Sequence, residues 1–360
     1  MPISVMIKPS SSACNLKCKY CFYASLSSER EAYSKGFMCI ETAENIIKSA
    51  VEYTKGTEII FTFQGGEPML SKLDFYEAFV ALIRKYNTYN SRITYCLQTN
   101  GTLINEDWCR FFKDNNFIIG VSLDGNEKQN EYRVYPDGSP SFDDVLNGIE
   151  LLKKYKVQFN VLSVVTKQLA NSVRDNYKFM KKNNIHNFQY INCLKPFNEA
   201  SDDDLYMSND DYSFFLEKAF RLYYNDNMMG NRVSVRSFDN YLLLLRGRNA
   251  EQCGMNGFCS TQFVVEGDGT VYPCDFYCTD EWELGNINDL SFSEMNRSKI
   301  SKGFIKESLV VEEDCKQCAY FALCRGGGCK RSRLDADFCK TYKKFFASAL
   351  NMIKDLNRIV

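Results

Sequence analysis

Histidine is nearly missing from this sequence: His186 is the only one in 360 residues. A zinc protease built on histidines is therefore nearly excluded, and a Ser-His-Asp hydrolase would have to use that one ring. No apolar run approaches the ~20 residues that a membrane-spanning helix needs, so no membrane association is expected. The N-terminus shows no charged segment followed by a long apolar stretch. No secretory signal is expected, and the reading places the chain in the cytoplasm. Neither sign of charge dominates, with 44 Lys plus Arg against 45 Asp plus Glu. That balance argues against a broad basic footprint for nucleic acid.

What the chain has in excess is sulfur. Its 45% apolar and 25% charged content is ordinary for a globular protein of two or three domains. Its 16 cysteines are not ordinary. They are too many for a typical cytosolic enzyme and too sparse for a small disulfide-stapled scaffold. In a reducing compartment, clustered thiols hold metal. Three sit at Cys14, Cys18 and Cys21, and eight lie between Cys253 and Cys339 in ligand-like spacings. The scattered five (Cys39, Cys96, Cys109, Cys193 and Cys278) read as small buried hydrophobes, with Cys278 worth watching for its nearness to Cys274.

Periodicity divides the chain. Strand-like segments at 4–8, 58–64, 92–98, 117–123, 157–165 and 187–193 are β-branched and aromatic, as for strands covered on both faces. Helix-like stretches at 41–54, 74–86, 105–115, 142–155 and 172–183 lie between them, and Asn105 is an N-cap candidate. Six such units predict an α/β fold with a parallel sheet, short of a closed eight-fold barrel and hence an open, partial (β/α)6 barrel. The predicted organisation is a barrel over 1–199, a helical connector over 200–250, a cysteine-rich domain over 251–345 and a final amphipathic helix over 346–360. Within it, Asp202–Asp204 reads as solvated charge. Leu242–Leu245 reads as buried helix, and "FVVEGDGTVY" as a β-hairpin.

The segment "CNLKCKYC" puts three thiols at x3 and x2 spacing in a loop after the first strand. A zinc site normally takes four ligands in two close pairs. Three thiolates suit a four-iron cluster with one iron left open, although a distant fourth cysteine could complete a zinc site. The segment resembles the CxxxCxxC motif of the radical S-adenosylmethionine enzymes, with Tyr20 before the last cysteine. The resemblance implies a partial six-strand barrel. It also implies a [4Fe-4S] cluster on Cys14, Cys18 and Cys21 that binds and cleaves S-adenosylmethionine.

Three further segments end at the same edge of the expected sheet: "FQGGEP", "QTNGT" and "SLDG". Alone, Gln64-Gly65-Gly66-Glu67 reads as a tight turn. Beside the cysteines it resembles the family's GGEP motif, which contacts the methionine amino group. By the same resemblance Ser122, Arg133 and Leu194 bind the cofactor, and Arg133 could pair with its carboxylate.

The later cysteines run Cys253-x5-Cys259-x14-Cys274, then Cys315-x2-Cys318-x5-Cys324-x4-Cys329, then Cys339. Neither a zinc ribbon nor a bacterial ferredoxin run fits, and eight thiols make two complete four-ligand sets. The pattern resembles the SPASM extension. That resemblance assigns Cys253, Cys259, Cys274 and Cys329 to one auxiliary [4Fe-4S] cluster. Cys315, Cys318, Cys324 and Cys339 go to a second, making three clusters in all. The x4 between Cys324 and Cys329 departs from the family's x3.

Over nearly its whole length, with "CGMNG", "YPCDFY" and "INCL" among the matching segments, the chain resembles anaerobic sulfatase-maturating enzymes. That subfamily oxidises a Ser or Cys of an unfolded sulfatase, at a Cys/Ser-x-Pro-x-Arg motif, to Cα-formylglycine. Its catalytic base corresponds to Asp275, and a donor such as ferredoxin or flavodoxin supplies electrons. Two other readings stay open: a SPASM-type maturase of another ribosomal peptide, and a non-catalytic iron–sulfur electron carrier.

Overall fold

The computed structural model describes residues 1–195, 205–331, 333 and 338–359. Asp202–Asp204 lie outside the described residues. Ten strands are present among them. They are β1 (Ile3–Ile7), β2 (Glu58–Phe63), β3 (Arg92–Thr99), β4 (Ile118–Ser122), β5 (Gln158–Val165), β6 (Asn187–Asn192), β7 (Ser234–Val235), β8 (Val264–Val265), β9 (Thr270–Tyr272) and β10 (Gly285–Asn286). The six strands expected from periodicity are β1 to β6, each within two residues of its expected ends. The chain forms two compact units, the first comprising residues 1–122, 132–159 and 260–304, the second 123–131, 160–259 and 305–360.

In the first unit β1, β2, β3 and β4 are parallel neighbours, with registers such as Val5↔Phe61, Phe61↔Tyr95 and Leu97↔Ile119. β8 joins β1 on its other side, in parallel, and pairs antiparallel with β9. The β8–β9 connection is the expected hairpin, and Gly269 takes a φ of +90° in its turn. Helices Ile40–Thr54, Lys72–Tyr86, Glu106–Asp114 and Phe142–Lys154 fill the crossovers. Asn105 caps the third of these by accepting from the Trp108 N–H.

β2 is not covered equally on both faces, contrary to the sequence reading. Along β2 buried and half-buried residues alternate. Ile59, Phe61 and Phe63 point under the helices and are fully buried. There the Phe63 ring lies 4.9 Å from Tyr76 and 5.0 Å from Phe79. Ile60 and Thr62 point the other way and stay half-buried. Gln64 follows in the same phase, so the open face ends in polar groups at the C-terminal tips of the strands.

In the second unit β5, β6 and β7 run parallel, with Val161↔Phe188 and Phe188↔Val235. Helices Val173–Lys182, Asn209–Met228, Arg236–Leu245 and Phe338–Ile359 belong to it. Their contacts are aromatic: Phe220 lies 5.1 Å from Phe238 and 5.6 Å from Phe345, and Tyr241 lies 5.1 Å from Phe346. Leu242 and Leu244 are buried, as expected of that run. The last helix starts earlier than its apolar stripe suggested. Of the scattered cysteines only Cys109 and Cys278 are buried. Cys39 is exposed, and Cys96 and Cys193 are half-buried, so the small-hydrophobe reading fails for these three.

Candidate functional site

In the first unit the loop after β1 carries Cys14, Cys18 and Cys21, and it is built on the backbone of "FQGGEP". The Gly66 N–H donates to the Ser11 carbonyl at 2.9 Å, and the Glu67 N–H to the Ala13 carbonyl at 2.8 Å. A Cβ on Gly66 would fall 2.1 Å from the Ala13 carbonyl oxygen. Only glycine lets these two loops meet. Glu67 is wholly buried and turned inward, accepting from the Met69 N–H at 3.0 Å, the Thr99 hydroxyl at 2.8 Å and the Asn100 N–H at 2.8 Å. Burial lifts its carboxyl to about 7, against the pull of those three donors. A cofactor contact from this segment would come from its backbone.

Two other segments clasp the same loop. The Asn100 amide donates to Cys14 Sγ at 3.8 Å and to Asn15 Oδ1 at 2.8 Å. Lys17 and Lys19 N–H groups donate to the Val134 and Tyr132 carbonyls at 2.7 and 3.0 Å. These bonds bring Arg133 to the cluster loop, with its guanidinium 5.4 Å from the centre of the Tyr20 ring. Ser122, at the tip of β4, accepts from Gln98 Nε2 at 2.9 Å. Leu194 is half-buried in the second unit, just past β6.

Asp275 follows Cys274 and is 8% exposed. Its Oδ2 accepts from the Tyr23 hydroxyl at 2.6 Å and from Gln64 Nε2 at 3.4 Å. Gln64 Nε2 also donates to the Tyr23 hydroxyl. Lys8 Nζ stands 3.0 Å from Oδ1, close enough for an ion pair, and 3.4 Å from Glu266 Oε1. Arg30 closes the row, 2.7 Å from the same Glu266 oxygen. Burial pushes the Lys8 ammonium down, but the charges of Asp275, Cys278, Glu266 and Tyr23 together hold it well above its ordinary value. Lys8 Nζ also donates to Cys278 Sγ at 3.3 Å, and burial pushes that thiol up to about 12. Cys278 thus lies inside a buried charge network.

The sequence reading missed Lys8, Tyr23, Arg30, Glu266 and Asn100. Lys8 ends a strand-like segment, where an ammonium predicts nothing, and its partners lie up to 270 residues away. Asn100 was within reach, since it sits inside the "QTNGT" segment already noted.

In the second unit, burial pushes the Cys253 thiol up to about 12, and the charges of Cys329 and Cys259 add to it. Cys324 lies within electrostatic reach of Cys315, Cys339 and Cys318. Burial raises the Cys324 thiol, and the charges of the other three raise it further. In the first unit Cys14, although it reaches the surface, is likewise pushed up to about 12, chiefly by burial and then by Glu67, Cys18 and Cys21. Cys274 also lies in the first unit and is buried.

These thiols fit iron–sulfur clusters. Gathered thiolates repel one another, so the cysteines would stay protonated unless a bound cation takes the place of their protons. Among the described residues no three His, Cys, Asp or Glu converge as one metal ion would need. The residue added between Cys324 and Cys329 is absorbed in a left-handed run: Arg325, Gly326, Gly327 and Gly328 have φ of 52°, 72°, 87° and 74°. No helix among the described residues is long and apolar enough to cross a membrane.

Residues 9–180 match the Radical SAM superfamily, and residues 253–319 match an iron–sulfur cluster-binding domain, SPASM. The chain is 43% identical to a cysteine-type anaerobic sulfatase-maturating enzyme of Clostridium novyi, over 98% of this chain and 96% of that one. Identity to its Clostridium perfringens counterpart is 45%, over 97% and 96%. A serine-type anaerobic sulfatase-maturating enzyme of Bacteroides thetaiotaomicron is 31% identical, over 96% and 89%. Among solved structures, native anSMEcpe with bound AdoMet and Cp18Cys peptide superposes with a TM-score of 0.94, at 42% identity and over 100% of both chains.

Proposed function

Because the chain belongs to the anaerobic sulfatase-maturating enzymes, within the radical SAM superfamily, we propose that it oxidises a cysteine of a sulfatase-derived peptide to Cα-formylglycine. The preference for cysteine rests on relatedness: identity is 43–45% to cysteine-type relatives and 31% to the serine-type one. Cys14, Cys18 and Cys21 hold the cluster that works with S-adenosylmethionine. Tyr20, Arg133, Ser122, Leu194 and the Gln64–Glu67 segment line the cofactor. Cys253, Cys259, Cys274 and Cys329 hold one auxiliary cluster, and Cys315, Cys318, Cys324 and Cys339 the other.

When bound, these groups supply an organic radical that removes a hydrogen atom and a sink for the electron left behind. The remaining work is proton chemistry. Conversion of –CH2–SH to –CH=S loses one hydrogen atom, one proton and one electron, and water then replaces sulfur to give the aldehyde. Asp275 takes the thiol proton at its carboxylate. Tyr23 and Gln64 fix the orientation of Oδ2, and Lys8 balances the charge of the carboxylate. Electrons enter from a reduced donor such as a ferredoxin or flavodoxin.

The observation that carries this reading is Asp275 itself, a buried carboxylate directly after a cluster cysteine, held by Lys8 and Tyr23. Anaerobically reconstituted protein is given S-adenosylmethionine, dithionite and a Cys-x-Pro-x-Arg peptide. The expected product has lost one sulfur and two hydrogens and gained one oxygen. Asp275→Asn keeps all its iron and slows product formation by ~100-fold or more. A cross-linked peptide, or an Asp275→Asn variant as fast as the parent, contradicts the proposal.

A further inference from the structure

In the second unit one arginine holds together the backbone around two of the cluster cysteines. Arg333 Nη1 donates to the Ser308 carbonyl at 2.7 Å and to the Val310 carbonyl at 3.0 Å. Its Nη2 donates to the Gly257 carbonyl at 2.5 Å and to the Gly328 carbonyl at 2.9 Å. The Arg333 N–H donates to the Cys329 carbonyl at 3.1 Å. Three of the four side-chain acceptors are tied to a cysteine. Gly328 precedes Cys329, and Gly257 lies two residues before Cys259. The Ser308 hydroxyl accepts from the Cys259 N–H at 2.8 Å. Gly254, directly after Cys253, packs so closely that a Cβ there would lie 2.8 Å from the Cys329 Cβ.

We propose that Arg333 is a positioning residue for the auxiliary cluster of Cys253, Cys259 and Cys329, a four-point staple on the segments that carry the last two. This rests on the assignment of those cysteines to a cluster made above. The need for a staple is local. Cys329 ends the left-handed run from Arg325 to Gly328, and glycine backbone has the most freedom to lose on ordering. Two carbonyls from 308–310 and one from each cysteine loop point at a single planar fork. A guanidinium, with five donors in fixed geometry, is the side chain that fits four acceptors. Residues that orient ligands from behind typically contribute ~10–100-fold in metal affinity or activity.

The test compares the parent with Arg333→Met, Arg333→Lys and Cys259→Ala, all reconstituted anaerobically. The parent carries about twelve irons and Arg333→Met about eight, the loss of one four-iron cluster. The electron paramagnetic resonance signal missing from Arg333→Met is the one missing from Cys259→Ala. Reductive cleavage of S-adenosylmethionine persists in Arg333→Met, while peptide oxidation falls ~10-fold or more. Arg333→Lys keeps charge without the fork and loses one cluster's iron to a chelator ~10-fold faster than the parent. If the methionine variant does not fold, the lysine variant decides, and chelation at the parental rate overturns the staple. Full iron with parental spectra in Arg333→Met overturns it as well. A Cys259→Ala variant that keeps all its iron overturns the cluster assignment instead.

Discussion

Glu67 shows how one side chain can serve a cofactor site without facing it. Its carboxylate ties the Gly-Gly turn to the end of β3 through Thr99 and Asn100. Glu67→Gln replaces an acceptor by an N–H2 group among three donors, and a buried donor left unmatched costs ~1–3 kcal/mol. The variant melts lower by calorimetry. The pH dependence follows from the carboxyl at about 7. A folded value above the ordinary ~4.3 means stability that is full below ~4.3 and is lost as pH rises towards 7. The melting temperature of the parent therefore falls over that interval more than that of Glu67→Gln. Gly66→Ala is harsher, because a Cβ 2.1 Å from a carbonyl oxygen forces the two loops apart. It loses about four irons and the ability to cleave S-adenosylmethionine, with the auxiliary clusters retained. Iron analysis with electron paramagnetic resonance checks this.

Among the elements, β2 does two jobs because its side chains alternate. One face buries Phe61 and Phe63 against the helix Lys72–Tyr86, and the other leads to Gln64 beside Asp275. Phe63→Ala leaves a cavity where four aromatic rings met and costs ~3–5 kcal/mol, read as a lower denaturant midpoint. The strands and most helix ends were legible in the sequence, because β-branched runs, the Asn105 cap and the Gly-Asp-Gly turn are local signals. The open inner face was not legible. Ile60 and Thr62 are as β-prone as their buried neighbours, and only the assembled sheet shows which side the helices cover. The charge row Arg30–Glu266–Lys8–Asp275 was equally hidden, since its members lie on segments far apart in sequence. The cysteine spacings were the exception. They carry chemistry in the sequence itself, so bound metal could be expected before any fold was known, while the division of the later eight into two sets came from resemblance alone.

For the whole molecule, the proposed reaction moves a hydrogen atom from the substrate cysteine's Cβ to the nucleoside released from S-adenosylmethionine. Radical SAM and SPASM regions both match within this one chain. The most direct measurement uses a Cys-x-Pro-x-Arg peptide deuterated at the cysteine Cβ, with S-adenosylmethionine and dithionite in the absence of air. The expected result is one deuterium in the 5′-deoxyadenosine for each formylglycine formed. 5′-Deoxyadenosine free of deuterium, alongside formylglycine product, would contradict it.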